Sequence, residues 1–353
     1  MQLLKKFLTF INYPIRDCLL AVAFLALGSC GGGVTYTVGG TISGLISGSL
    51  VLKNNSGDDL TISADSTSFT FSTALASGAT YAVTIGTQSS RLACDITNNT
   101  GTIASAKVTN VTITCITPVY VVNADSGTVS MYSIDATTGI LTALTTPTVA
   151  TGDIPQSIVV NPAGTFAYVN NNFSNTVSMY AINATTGILT PLTTPTIATG
   201  ATPRSIAVNP AGTFIYVTNS SDNTVSMYAI NATTGILTAL TTPTVATGSG
   251  PISIAVNPAG TFAYVTNYSS NTVSMYAINA TTGILTPLTT PTIATGSNPI
   301  SSAVNPAGTF IYVTNSSDNT ISMYAINATT GILTALTTPT VAAGSSPATI
   351  AFK

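Results

Sequence analysis

Ser205-Ile206-Ala207-Val208-Asn209-Pro210-Ala211-Gly212-Thr213-Phe214-Ile215-Tyr216-Val217-Thr218-Asn219, followed by Thr224-Val225-Ser226-Met227-Tyr228-Ala229-Ile230-Asn231-Ala232-Thr233-Thr234-Gly235-Ile236-Leu237-Thr238, is one unit of a repeat. The pattern returns around Met131, Met179, Met227, Met275 and Met323, each 48 residues from the next. A period of this length, built only of β-type segments, points to a propeller blade. Four strands fit each unit: A (Ser205 to Val208), B (Phe214 to Thr218), C (Val225 to Ile230) and D (Ile236 to Leu240). Asn209-Pro210-Ala211-Gly212 turns A into B. Asn231-Ala232-Thr233-Thr234-Gly235 turns C into D, with Gly placed for positive φ. Alternation along strand C sets Val177, Met179 and Ala181 on one face and Ser178, Tyr180 and Ile182 on the other. A blade packed between two others wants apolar groups on both faces, so these Met and Tyr residues read as core.

The repeats open at a strand B (Val119 to Asn123) and close on a solitary strand A (Ala348 to Phe352). Five A strands predict a five-bladed propeller. The last strand is expected to complete the first blade and close the ring, leaving no edge for unwanted strand pairing. The copies also alternate: Phe214-Ile215-Tyr216 and Phe310-Ile311-Tyr312 interleave with Phe166-Ala167-Tyr168 and Phe262-Ala263-Tyr264. Duplication of a two-blade segment would leave this pattern.

Tyr216-Val217-Thr218-Asn219 recurs as Tyr264 to Asn267 and Tyr312 to Asn315. Tyr120-Val121-Val122-Asn123 and Tyr168-Val169-Asn170-Asn171 are variants. In these residues the chain resembles the YVTN repeat family of β-propellers, whose wider relatives include lactonases similar to 6-phosphogluconolactonase. The resemblance covers about two thirds of the chain. It implies the fold. Propellers carry many unrelated activities, so function has to be argued from the site.

The first thirty residues read as an address. Lys5, Lys6 and Arg16 give a positive start, and Cys18 to Gly28 is an apolar run too short to span a bilayer. Leu27-Gly28-Ser29-Cys30 then Gly31-Gly32-Gly33 resembles the bacterial lipoprotein signal, whose Cys is acylated and becomes the new first residue. This divides the chain into a signal peptide (1–29), a lipidated Cys30 with a glycine tether (30–33), a unit at 34–117 and the propeller at 118–353. Gly rather than Asp after Cys30 implies the outer membrane, facing the periplasm or the surface. Residues 34–117 hold short β-type stretches separated by turn signals such as Asn54-Asn55-Ser56-Gly57. They predict a small β-sandwich acting as a spacer. Cys94 and Cys115 form an even pair in an oxidising compartment and are expected to be a disulfide, stabilising by roughly 3 kcal/mol in the chain-entropy model.

Composition narrows the chemistry. Of 353 residues only 18 are charged, 8 basic and 10 acidic, and every acid is Asp. There is no His, Trp or Glu. A Ser-His-Asp or Cys-His site, a His metal site and a paired-Glu glycosidase site are impossible. So few cations cannot form a nucleic-acid footprint. No cofactor and no metal are expected.

Because blade strands are antiparallel, the B–C and D–A loops leave one face of the disc. These loops vary between copies, whereas the Asn-Pro-Ala-Gly-Thr turns of the other face do not. A binding face made of hydroxyls and amides follows, with Phe173 and Tyr268 as stacking surfaces and Arg204, Asp222 and Asp318 as its charges. It suits a glycan, another polar ligand or a surface protein. The sequence therefore reads as a surface lipoprotein whose propeller binds or scaffolds without catalysis. The alternative is a lactonase-like hydrolase. Opening a lactone needs an activated water and a group that stabilises the oxyanion. Arg204 with Asp153 or Asp222 is the one constellation that meets this need.

Overall fold

The computed structural model describes residues 34–135 and 137–352. The expected export signal, Cys30 and the glycine tether lie outside the described residues, as does Lys353. All regular structure among the described residues is β.

The N-terminal unit contains β1 (Thr35–Tyr36), β2 (Val38–Ser43), β3 (Ser49–Asn54), β4 (Asp58–Ser63), β5 (Ser68–Thr70), β6 (Leu75–Ala76), β7 (Thr80–Gln88), β8 (Ala93–Thr97), β9 (Thr100–Thr102) and β10 (Val108–Asn123). One sheet runs β4-β3-β7-β9. The other joins β5, β2 and β10, with β8 also on β10. Their inner faces bury Val38, Leu50, Leu52, Phe71, Val83, Val111 and Ile113. The core therefore lies between two antiparallel-rich sheets, as the alternating stretches predict. Strand β8 has no period-2 signal of its own, yet it carries Cys94 opposite Cys115 of β10. The two form the disulfide.

Strand β10 belongs to both halves of the chain. Val108 to Thr114 pairs in parallel with β2, and Thr117 to Asn123 pairs antiparallel with β11 (Thr128–Ile134). The boundary expected at 117/118 thus falls inside one 16-residue strand rather than in a linker. Gln88 Nε2 and the Cys94 N–H both donate to the Ala184 carbonyl in the second blade, at 2.8 and 3.0 Å.

Blade 1 consists of β10, β11 and β12 (Leu141–Ala150). Blade 2 is β13 (Pro155–Val160), β14 (Phe166–Asn171), β15 (Thr176–Ile182) and β16 (Leu189–Ala198). Blade 3 is β17 (Pro203–Val208), β18 (Phe214–Asn219), β19 (Thr224–Ile230) and β20 (Leu237–Ala246). Blade 4 is β21 (Pro251–Val256), β22 (Phe262–Asn267), β23 (Thr272–Ile278) and β24 (Leu285–Ala294). Blade 5 is β25 (Pro299–Val304), β26 (Phe310–Asn315), β27 (Thr320–Ile326) and β28 (Leu333–Ala342). Strand D is longer than the sequence indicated, because its Thr-Pro-Thr stretch also pairs. Pro147 and its repeats remove a donor from this outermost, exposed strand, which discourages pairing with another sheet.

Strand B is the blade's centre: β14, β18 and β22 are buried along their whole length. Val177 and Met179 pack toward blade 3, while Tyr180 packs toward blade 1, so both faces of strand C are core as alternation predicts. The motif residues act as ties. Tyr168 Oη donates to the Gly235 carbonyl at 2.8 Å, and Tyr216 and Tyr264 reach Gly283 and Gly331 in the same way. From the opposite side, Tyr228 Oη donates to the Ala198 carbonyl at 2.6 Å. Burial raises the pKa of all these phenols, that of Tyr276 to about 12. The motif Asn is a clamp within its blade: Asn219 Nδ2 donates to Thr224 Oγ1 and Ser226 Oγ. Asp135 caps its C–D turn through the Thr137 and Thr138 N–H groups. Its carboxyl lies below the usual range, chiefly because of the Thr138 N–H.

The ring does not close as expected. Ala348 to Phe352 forms no strand and does not pair with β10. Phe352 packs on Tyr312, with ring centroids 5.6 Å apart. Every junction repeats the same bulky Tyr, Met and Leu contacts, so every blade is turned by the same step. Four such steps join five blades into an arc whose first and last blades do not pair.

Candidate functional site

The varied face begins with backbone strain. Each D–A loop places one residue at positive φ just before the Pro that opens strand A: Ile154 (51°), Thr202 (53°), Gly250 (65°), Asn298 (51°) and Ser346 (50°). Gly and Asn accept this conformation, whereas β-branched Ile and Thr do not. Blades 2 and 3 therefore enter from strained loops, and such strain gathers at functional sites. The surroundings enforce it. The Asn172 N–H donates to the Ile154 carbonyl at 2.9 Å, and the Ser220 N–H to the Thr202 carbonyl at 3.0 Å.

One residue further on, each strand A carries a bulge. The ladder skips Gln156, Arg204, Ile252 and Ile300. A bulge turns a side chain out of the ladder. The A strands are the innermost and adjoin one another around the axis. These four side chains thus stand at one level, polar on blades 2 and 3 and apolar on blades 4 and 5. Arg204 is exposed there.

Between blades 1 and 2 lies a cleft of about 340 Å³, lined among others by Asp125, Ser126, Asp153, Ile154 and Phe173. Phe173 is 72% exposed and offers a bare ring face. The Asp153 N–H donates to Ser174 Oγ at 2.8 Å, which fixes the loop while the carboxylate stays available. Asn172, next to Phe173, donates from Nδ2 to the Pro203 carbonyl at 3.1 Å. This bond ties the wall of the cleft to the residue before Arg204. Two carboxylates, an aromatic ring and the start of the arginine strand are therefore held on neighbouring loops.

The structure pairs Arg204 with neither Asp, and it gives the other expected residues surroundings of their own. Arg204 makes no ion pair with Asp153 or Asp222; among the described residues the ion pair is Lys53 with Asp59, at 2.9 Å. Asp222 Oδ2 accepts the Ala201 N–H at 2.7 Å, and Asp318 Oδ2 accepts the Ser297 N–H at 2.6 Å. Both do the work that Ser174 does in blade 2 and clamp their loops. Tyr268 is 39% exposed on blade 4, away from the cleft, with its N–H bonded to the Gly250 carbonyl. Asp125 was legible only as one of few charges. The sign of its role would have been its place on the B–C loop just before the loop of Asp153. Among the described residues no three potential metal ligands cluster.

Comparison with known proteins bears on this site. No protein of curated function matches the sequence. Among solved structures, the candidate 6-phosphogluconolactonase of Bacteroides fragilis shares 20% identity, covering 67% of this chain and 69% of its own, with a TM-score of 0.57. A protein from Lactobacillus plantarum shares 22%, covering 71% and 76%, at 0.59. The periplasmic gluconolactonase of Pseudomonas aeruginosa shares 20%, covering 66% and 68%, at 0.54. These likenesses show the fold. The expected non-catalytic binding or scaffolding module is corrected here: the matched family and the named neighbours carry lactonase names, which favours the hydrolase alternative. Residues 116–250 and 241–352 both match one family model, and the chain belongs to that family, Lactonase, 7-bladed beta-propeller.

Proposed function

We propose that this protein is a lactonase-like hydrolase that opens a small lactone at the cleft between blades 1 and 2. The observation that carries the reading is the cleft holding Asp125, Asp153 and Phe173 beside the strand of Arg204, in a chain of the lactonase family. An ionised Asp accepts a proton from water as its oxygen attacks the lactone carbonyl carbon. The Arg204 guanidinium balances the negative charge that develops on the carbonyl oxygen. Collapse breaks the acyl–oxygen bond of the ring, and the proton passes to the departing ring oxygen. The product is the open hydroxy acid. The Phe173 ring supports the apolar face of a sugar-like substrate. The test is a pH-stat assay of the purified protein with glucono-δ-lactone and simpler δ-lactones. Hydrolysis above the spontaneous rate, lost in Asp153→Asn, is expected. Background rates with every lactone overturn the reading.

The address at the N-terminus adds a second proposal: the propeller is carried on a lipid at Cys30, on the outer membrane, with residues 34–117 as its stalk. The lipobox-like Leu27-Gly28-Ser29-Cys30 supports it. Labelling cells with a radioactive fatty acid is expected to mark the wild type and not Cys30→Ala.

A further inference from the structure

The junctions between blades repeat one set of bonds. The strand B tyrosine of one blade donates to the turn glycine of the next, as Tyr216 does to Gly283. The first N–H of strand D donates backward to a methionine sulfur, as Leu285 does to Met227 at 3.3 Å. The junction of blades 2 and 3 carries two bonds more. Asn170 Nδ2 and Asn172 Nδ2 both donate to the Pro203 carbonyl, at 2.9 and 3.1 Å. Pro203 opens strand A of blade 3, and Arg204 is the next residue. Among the described residues no side chain donates to the matching carbonyls of Pro155, Pro251 and Pro299.

The repeat sets this pair apart. At 48-residue spacing the Asn170 position holds Val122, Thr218, Thr266 and Thr314, and the Asn172 position holds Ala124, Ser220, Tyr268 and Ser316. Val and Ala have no side-chain donor. Two of the threonines bond inside their own blades: Thr218 Oγ1 accepts the Ser205 N–H at 3.0 Å, and Thr314 Oγ1 accepts the Ser301 N–H at 3.2 Å. Thr266 leaves its Oγ1 unpaired and gains no bond to blade 5. Asn170 alone reaches from this position to the next blade. Its side chain is fully buried, and its Oδ1 has no partner. A buried amide with an orphaned acceptor is destabilising. Packing does not call for it, since a threonine fills the same position in three other blades.

The surroundings of the bond show what it secures. Thr202, just before Pro203, is held at a φ of 53°, and Arg204, just after, stands in the bulge that the ladder skips. Pro203 is the fixed point between a strained loop and a long charged side chain. Asn172 adjoins Phe173, the ring of the cleft. The two amides therefore fasten the backbone beneath Arg204 to the wall of the cleft. Resting on the hydrolase reading above, we infer that Asn170 is a positioning residue for lactone opening: with Asn172 it holds the Arg204 bulge, and through it the guanidinium, in place beside the cleft. Asn170 touches no substrate. Its effect falls on the step in which charge develops on the carbonyl oxygen. A cation that drifts by a fraction of an ångström serves the uncharged ground state almost as well and the transition state worse.

The test gives each asparagine the residue of its own repeats, Asn170→Thr and Asn172→Ser, in the full chain. Asn170→Thr is expected to lower kcat for glucono-δ-lactone about tenfold, with KM within about twofold of the wild type. Its denaturant midpoint should hold or rise, because the orphaned amide is gone. Asn172→Ser should show the same split at smaller size. Arg16, Arg91 and Arg204 are the only arginines in the sequence. In protein labelled with nitrogen-15 arginine, the backbone amide of Arg204 is therefore identified by its loss in Arg204→Lys. Its order parameter is expected to fall in Asn170→Thr. An unchanged order parameter overturns the inference, and so does a kcat that falls only in step with the midpoint. Full activity in Asn170→Thr overturns this role alone. Background rates in the wild type overturn the hydrolase reading and this role with it.

Discussion

The blade junctions and the loop face obey opposite rules. At the junctions four copies repeat the same tyrosine, glycine and methionine bonds within about 0.3 Å. On the loop face the same fold positions carry Ile, Thr, Gly, Asn and Ser at one positive-φ site. A packed interior tolerates little change in volume, so a junction that works is copied whole. A loop only has to hold its backbone path, and different side chains do that. The difference teaches where to look for chemistry. Residues identical in every blade hold the arc together, and residues that break the repeat, such as Asp153 and Arg204, are free to do something else.

Alkali should break the junctions before anything else. The folded pKa of Tyr276 is about 12, held up by burial, against about 10 for an unfolded tyrosine. The folded value is the higher one, so its contribution is complete below pH 10 and is lost as pH rises toward 12. Tyr276 alone accounts for about 3 kcal/mol, and its repeats add to it. With no His in the chain, denaturant midpoints are expected to be flat from pH 6 to 9 and to fall steeply above 10. A midpoint that holds at pH 11.5 would show the phenols to be wetter than their burial implies.

Cutting a single junction comes next. Tyr216→Ala is expected to cost about 4 kcal/mol in chemical denaturation. Tyr312→Ala, at the outer face, should cost less than half as much. Equal losses would erase the distinction between inner and outer faces. The loop face should respond in activity instead. Asp153→Asn is expected to slow lactone hydrolysis about 100-fold while the melting temperature moves by less than a degree or two. The smallest effect lies at the strained loop. Ile154→Asn installs the residue that blade 5 uses at this site, and about 1 kcal/mol of stability should be gained.

The repeat, its strands and its turns were legible because a 48-residue period carries its own internal controls. Both faces of strand C could be assigned from alternation alone. The disulfide followed from a count of cysteines. Ring closure was not legible, since it depends on the angle between blades. Packed side chains such as Tyr216 and Met227 set that angle, and no pattern along one strand encodes it. Asp222 and Asp318 looked like ligands because charge is scarce. Each carboxylate accepts a backbone N–H from 21 residues away, a duty that Ser does in blade 2 and that scarcity of charge does not reveal. The cleft was half visible: Phe173 and Asp153 stood out as exceptions, but their proximity to Asp125 required the stacking of two blades.

The shared strand β10 has a mechanical consequence. Its 16 residues extend roughly 50 Å at the usual rise of a strand. They run without a joint from the sandwich into the first blade. A pull applied at the N-terminal side travels along this backbone and meets lateral hydrogen bonds to β2, β8 and β11. Those bonds are loaded in shear and must yield together rather than one after another. The sandwich and the propeller therefore swing as one stiff lever, and the orientation of the loop face is set by whatever holds the other end.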